Sequence, residues 1–141
     1  MGSGQNRTDL QINALKKLDD AVALVQIRSY SNAYYISGYA IELGLKACIA
    51  EQISVETIPD KDIIKGILSH DFVALLGLAG LADEHKAMKK RDLRFAANWA
   101  IALQRSPDAR YDSSGHDAAR SLIEAISEPK SGILTWIKTY W

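Results

Sequence analysis

The run from Ser31 to Gln52, SNAYYISGYAIELGLKACIAEQ, limits the possible folds more than any other stretch of the chain. Wound at ~100° per residue, it places Tyr35, Tyr39, Glu42 and Lys46 within ~60° of one another. Ala33, Ile36, Ala40, Ile41, Leu43, Leu45, Ala47, Cys48 and Ile49 take most of the remaining circumference. A helix apolar nearly all round belongs in the interior of a protein. Its ionisable groups share one narrow stripe with two phenols, so Glu42 can meet Lys46 one turn later and either tyrosine can donate to the carboxylate. Gly38 and Gly44 are poor helix formers, and their expected use is close approach by a neighbouring helix. Length alone would allow a membrane span, but Asn32, Glu42 and Lys46 would be costly in a bilayer. A buried helix of a water-soluble protein is the expectation.

Around that helix the chain reads as all-α. Leu10, Ala14, Leu18, Ala21 and Val25 recur at helical spacing and mark an amphipathic helix with Thr8 or Asp9 as its N-cap. Residues 1–7, MGSGQNR, read as a flexible tail, leaving 8–141 as one domain. A short break at Arg28-Ser29-Tyr30 lets the first two helices fold back as an antiparallel hairpin. A loop around Pro59 follows, then a helical turn at Ile63, Ile64, Ile67 and Leu68. Ser69 is expected to cap a helix whose buried side is Phe72, Leu75, Leu76 and Ala79, and Gly80 to end it. Ala82 to Gln104 reads as one helical run, basic in the middle, with Phe95, Trp99 and Leu103 on one face. RSPDARYDSSG is a loop. A helix begins at His116, is interrupted at Pro129 and Gly132, and leads to a last piece with Ile133, Trp136, Ile137 and Tyr140. No strand alternation and no repeat competes. The predicted architecture is an up-and-down bundle of about four main helices with short additions.

Charge and cysteine content narrow the function classes. Lys plus Arg and Asp plus Glu both number 17, so a global positive field that would draw in nucleic acid is not available and any such binding needs a local patch. The single cysteine, Cys48, cannot form an internal disulfide, and no signal-peptide pattern is present. A reducing cytoplasm is the expected compartment, with Cys48 an inert packed thiol.

Several stretches together resemble the HEPN domains of prokaryotes: Arg28-Ser29-Tyr30, Asn32-Ala33-Tyr34-Tyr35, Gly38-Tyr39-Ala40-Ile41-Glu42, Leu45-Lys46-Ala47, His70-Asp71, Trp99 and Arg110-Tyr111. The resemblance runs from about Leu10 to the last helix and is densest in GYAIELGLKA. It implies a four- to five-helix up-and-down bundle, commonly a homodimer, associated with RNA or nucleotides. It also implies a setting beside a minimal nucleotidyltransferase in toxin–antitoxin or phage-defence modules. Many members of that family are metal-independent ribonucleases that carry an Arg followed, after about four to six positions, by a His. Arg110 and His116 fit that pattern, with five residues between them. The arginine would hold the scissile phosphate and the histidine would move the proton, roles that suit both side chains.

Each candidate has a plainer alternative. Arg110 can pair with Asp108 or Asp112, with His116 merely starting a helix. His70 can contact a phosphate, or it can hydrogen-bond a carbonyl or the Glu42 stripe. Tyr39, Glu42 and Lys46 either fix helix packing as a buried polar network or line a small nucleotide pocket. Lys86, Lys89, Lys90 and Arg94 form either a stripe for RNA phosphates or a solvated face balanced by Asp83, Glu84 and Asp92. His70, His85 and His116 are too dispersed in sequence to suggest a metal site, and no cofactor is implied. The rival function is a non-catalytic module that binds a nucleotidyltransferase or another protein through exposed Trp136, Tyr140 and Trp141.

Overall fold

A computed structural model describes residues 6–53, 58–105 and 115–141. Among them there are eight helices and no strand: α1 (Arg7–Gln26), α2 (Tyr30–Gln52), α3 (Lys61–Gly66), α4 (Phe72–Leu78), α5 (Ala82–Arg91), α6 (Leu93–Leu103), α7 (His116–Ser127) and α8 (Ile133–Ile137). None of them is long and apolar enough to cross a membrane.

Helix α1 starts earlier than expected. Asn6, rather than Thr8 or Asp9, is the N-cap: its side chain accepts from the Asp9 N–H at 2.8 Å, and Asp9 returns a bond to the Asn6 N–H. This reciprocal capping box satisfies two otherwise orphaned donors and draws Asn6 and Arg7 out of the anticipated tail. Residues 1–5 lie outside the described residues.

The break between α1 and α2 is a Schellman turn. Arg28 adopts φ 63°, the Arg28 N–H bonds the Val25 carbonyl and the Ser29 N–H bonds the Leu24 carbonyl. A left-handed non-glycine residue here costs on the order of 1 kcal/mol. The turn reverses the chain, so that Arg7 at the start of α1 pairs with Glu51 at the end of α2. The expected antiparallel hairpin therefore forms.

Helix α2 is the central rod, with α1, α4, α7 and α8 all packed on it. Its buried residues include Ala33, Ile41, Leu45, Cys48 and Ile49 and, on the polar stripe, Glu42. Leu134 and Ile137 of α8 lie 3.1 Å from where a Gly44 Cβ would project, so this glycine serves close helix approach. Burial pushes the Cys48 thiol up to about 12, and its Sγ contacts the Ile137 carbonyl at 3.7 Å. That thiol is packed and unreactive.

Beyond α2 the sequence expectation needs three corrections. Asp71, not Ser69, caps α4, accepting from the Val73 and Ala74 N–H groups; the Ser69 hydroxyl accepts from the Asp71 N–H instead. Gly80, at φ 71°, ends α4 as expected, with the Leu81 N–H reaching the Leu76 carbonyl. The run 82–104 is two helices, broken at Asp92. The Asp92 carboxylate accepts from the Phe95 N–H at 3.1 Å to start α6 and from the Ser131 hydroxyl at 2.7 Å, which ties it to the turn before α8. Those hydrogen bonds, Ser131 foremost, hold its pKa below the usual carboxylate range. Finally, Trp136 is not an exposed docking residue. It is 6% exposed, with its ring against Phe95, His85 and Tyr140, while Tyr140 and Trp141 are partly buried on the same core.

Candidate functional site

Glu42 sits at the centre of the polar seam on α2. Its side chain is 3% exposed and receives two cationic or protic partners. Lys46 Nζ donates to Oε2 at 3.2 Å, and Nδ1 of His70, from the α3–α4 connection, lies 2.8 Å from Oε1. A neutral imidazole can make that second bond only with the proton on Nδ1, so the carboxylate selects the tautomer and leaves Nε2 as an acceptor. One turn earlier, the Tyr35 and Tyr39 hydroxyls are hydrogen-bonded to each other at 3.2 Å, with the rings edge to face. The Tyr35 hydrogen bond, then burial, raises the Tyr39 phenol above its ordinary pKa; nearby Glu42 adds to this and Arg105 opposes it.

Arg105, the side chain that completes this seam, is one that sequence reasoning missed. It follows α6, donates from Nη2 to the Tyr35 carbonyl at 3.0 Å, and places Cζ 5.4 Å from the Tyr35 ring centre and 5.8 Å from those of Tyr39 and Phe72. Such a guanidinium among ring faces gains cation–π attraction. Burial lowers its pKa, with Glu42 the largest opposing influence. Its Nε is buried without a hydrogen-bond partner among the described residues because it lies flat on the α2 backbone at Gly38. A methyl group at Gly38 would overlap Arg105 Nε, Cδ and Cζ. The only cue in the sequence was Gly38, where close approach by a neighbouring helix was expected and the Arg105 side chain is found instead.

Gly38→Ala therefore tests the contact. The substitution gains about 1 kcal/mol of helix propensity but loses about 1–3 kcal/mol to overpacking, so a net loss of stability is expected in urea denaturation. In an Arg105→Ala background the overlap is gone, and the same change should stabilise. A Gly38→Ala effect of the same sign in both backgrounds would mean that Arg105 does not rest on Gly38.

Between the α3–α4 connection and the end of α6 lies a cavity of about 430 Å³, lined by Ser69, His70, Asp71, Phe72, Leu103 and Arg105 among others. That volume is within the range of small-ligand sites. His70 and Arg105 face the same space, one oriented by Glu42 and the other held by three rings and a carbonyl. The arrangement can accept an anionic group. Compared with protein-family models, curated proteins and solved structures, the chain matches none.

The remaining candidates are distributed differently. His116 is the first residue of α7; its Nδ1 lies 3.2 Å from Asp117 Oδ1 and its ring meets the Tyr30 ring edge at 5.2 Å. Arg110 lies outside the described residues. Lys86, Lys89 and Lys90 are on α5 and Arg94 is in the first turn of α6, so the break at Asp92 divides the anticipated continuous basic stripe. Lys89, Lys90 and Arg91 occupy the last turn of α5, where the helix dipole favours cations. Among the described residues no group of three or more His, Cys, Asp or Glu side chains could hold a metal ion.

Proposed function

We propose that this chain is a HEPN-like helical domain that binds RNA or a nucleotide in the cleft between the α3–α4 connection and the end of α6. The observation that carries the reading is Arg105, set among aromatic rings at the wall of a cavity of ligand size that it shares with His70. Arginine presents a fork suited to phosphate oxygens. The sequence resemblance to HEPN domains points to the same ligand class and to a homodimer working beside a nucleotidyltransferase in a toxin–antitoxin or defence module. It further implies metal-independent cleavage by Arg110 and His116.

Binding of a short single-stranded RNA and of mononucleotides, followed by fluorescence anisotropy and calorimetry in EDTA, tests the proposal. Wild type should bind, and Arg105→Ala should weaken binding by about tenfold or more, equivalent to about 1.4 kcal/mol, while retaining its helical circular dichroism. A wild-type protein that binds neither ligand ends the proposal. Loss of RNA cleavage in folded His116→Ala would assign the implied step to that histidine, and light scattering that finds only monomer would remove the dimer.

A further inference from the structure

We infer that the ligand is a single strand of nucleic acid that runs from the cavity to a second, cationic contact at the corner between α5 and α6. The inference rests on the binding reading above and deepens it, separating a polymer from a mononucleotide. Lys86, Lys89, Lys90, Arg91 and Arg94 are five of the nine residues from 86 to 94, in a chain of no net charge. The break at Asp92 does not disperse them. One carboxylate oxygen of Asp92 accepts from the Phe95 N–H and the other from the Ser131 hydroxyl, so α5 ends and α6 begins at a clasped corner. The clasp also sets Lys130, the residue before Ser131, beside that corner. Lys89 is half-buried and the other five cations are exposed; none of the six forms an ion pair among the described residues. The nearby carboxylates are engaged elsewhere: Asp92 as above, Glu128 on the Ser131 N–H, and Asp83 and Glu84 in the first turn of α5, at its opposite end. An exposed cation cluster with no internal partner is the footprint of a polyanion.

The corner and the cavity lie at opposite ends of α6. Arg94 is in its first turn and Arg105 just past its end, a separation of roughly 16 Å along a helix axis. The exposed residues between them are Ala97, Ala100, Leu103 and Gln104, all uncharged, so no carboxylate repels a strand laid along the helix. Leu103 also lines the cavity, which makes the path continuous. At about 430 Å³ the cavity has room for one nucleotide, and the rest of a bound strand must lie on the surface outside it. A mononucleotide therefore leaves the corner unused, whereas the phosphates of an oligonucleotide reach it. Lysines and arginines hold phosphates regardless of sequence, and each phosphate neutralised releases counterions. A duplex cannot place a nucleotide in the cavity without unstacking it, so the strand is single. An anionic bilayer would meet the corner alone and gain nothing from Arg105.

The full chain is titrated in EDTA with uridine monophosphate by calorimetry and with a labelled oligouridylate of about ten nucleotides by anisotropy, at salt concentrations from about 50 to 200 mM. The oligomer should bind at least about tenfold tighter, with a log–log salt slope steeper by about 0.7 for each further phosphate held. The combined change Lys90→Ala, Arg91→Ala and Arg94→Ala, all at exposed positions, should flatten that slope by about two and weaken the oligomer by about tenfold or more. Affinity for the mononucleotide should stay within about twofold, while Arg105→Ala should weaken both ligands. The inference is overturned, and the cavity reading kept, if oligomer and mononucleotide bind with equal affinity and slope, or if the triple change leaves the oligomer unaffected. Phosphatidylserine vesicles that retain wild type but not the triple variant, with the oligomer bound equally by both, would assign the corner to a membrane and overturn it too. Failure of wild type to bind either ligand overturns both readings.

Discussion

Glu42→Ala is expected to destabilise the protein by about 3 kcal/mol or more, because truncating one partner of a buried ion pair strands the other. Lys46 is 15% exposed and 3.2 Å from the lost carboxylate, so it would be left without its one-turn partner in the middle of α2. His70 would lose its anchor as well. Stabilities of globular domains are about 5–15 kcal/mol, so the change should be plain in a urea midpoint. Replacing both partners, as Glu42→Leu with Lys46→Met, removes the charge together with its desolvation and should recover most of the loss. If the single change costs under about 1 kcal/mol, or the double change costs as much as the single, the pair is not what holds this face of the helix together.

The seam could be read in advance because its order is local. Tyr35, Tyr39, Glu42 and Lys46 lie at three- and four-residue steps on one helix, and helical geometry alone brings them together. The break at Arg28–Tyr30 was likewise marked by Ser29, with Ser31 just beyond it, though nothing in the residue type announced that Arg28 would take a left-handed conformation. What escaped was set by contacts distant in sequence. Arg105 reads as the start of a Ser-Pro loop; its place is fixed by a carbonyl 70 residues earlier and by the absence of a Cβ at Gly38. Asp92 reads as one more charge in a helical run, and its role as a break depends on Ser131, 39 residues later. Trp136, near the C-terminal end of the sequence, read as available to a partner, yet His85 of α5 and Phe95 of α6 supply the rings that bury it. The position of Arg110 lies outside the described residues, so the Arg110–His116 pairing stands on the sequence resemblance alone.

Lowering the pH should weaken the fold through His85, a residue that the candidate site does not use. Its ring is 6% exposed and is edged against Trp99 at 4.3 Å, Trp136 at 5.6 Å and Phe95 at 5.7 Å. Its Nε2 is buried with no hydrogen-bond partner among the described residues. Burial, and then the charge of Lys89 one turn away, push its pKa from 6.5 down to about 4. In the unfolded chain the imidazole takes up a proton near pH 6.5, whereas the folded core refuses it until about pH 4. Between those values the unfolded state binds more protons, so stability rises with pH and is lost on acidification. At about 1.4 kcal/mol per pH unit the full loss is about 3 kcal/mol. His85→Leu, close in volume, forfeits about 1 kcal/mol of ring-edge contact at neutral pH but has nothing to titrate. Urea denaturation across this range should therefore show wild type the more stable above pH 7 and the variant the more stable near pH 4.5. The carboxylates titrate in both proteins and drop out of the difference. Two stability curves that run parallel from neutral to acid would mean that His85 meets water or a proton acceptor that this core does not provide.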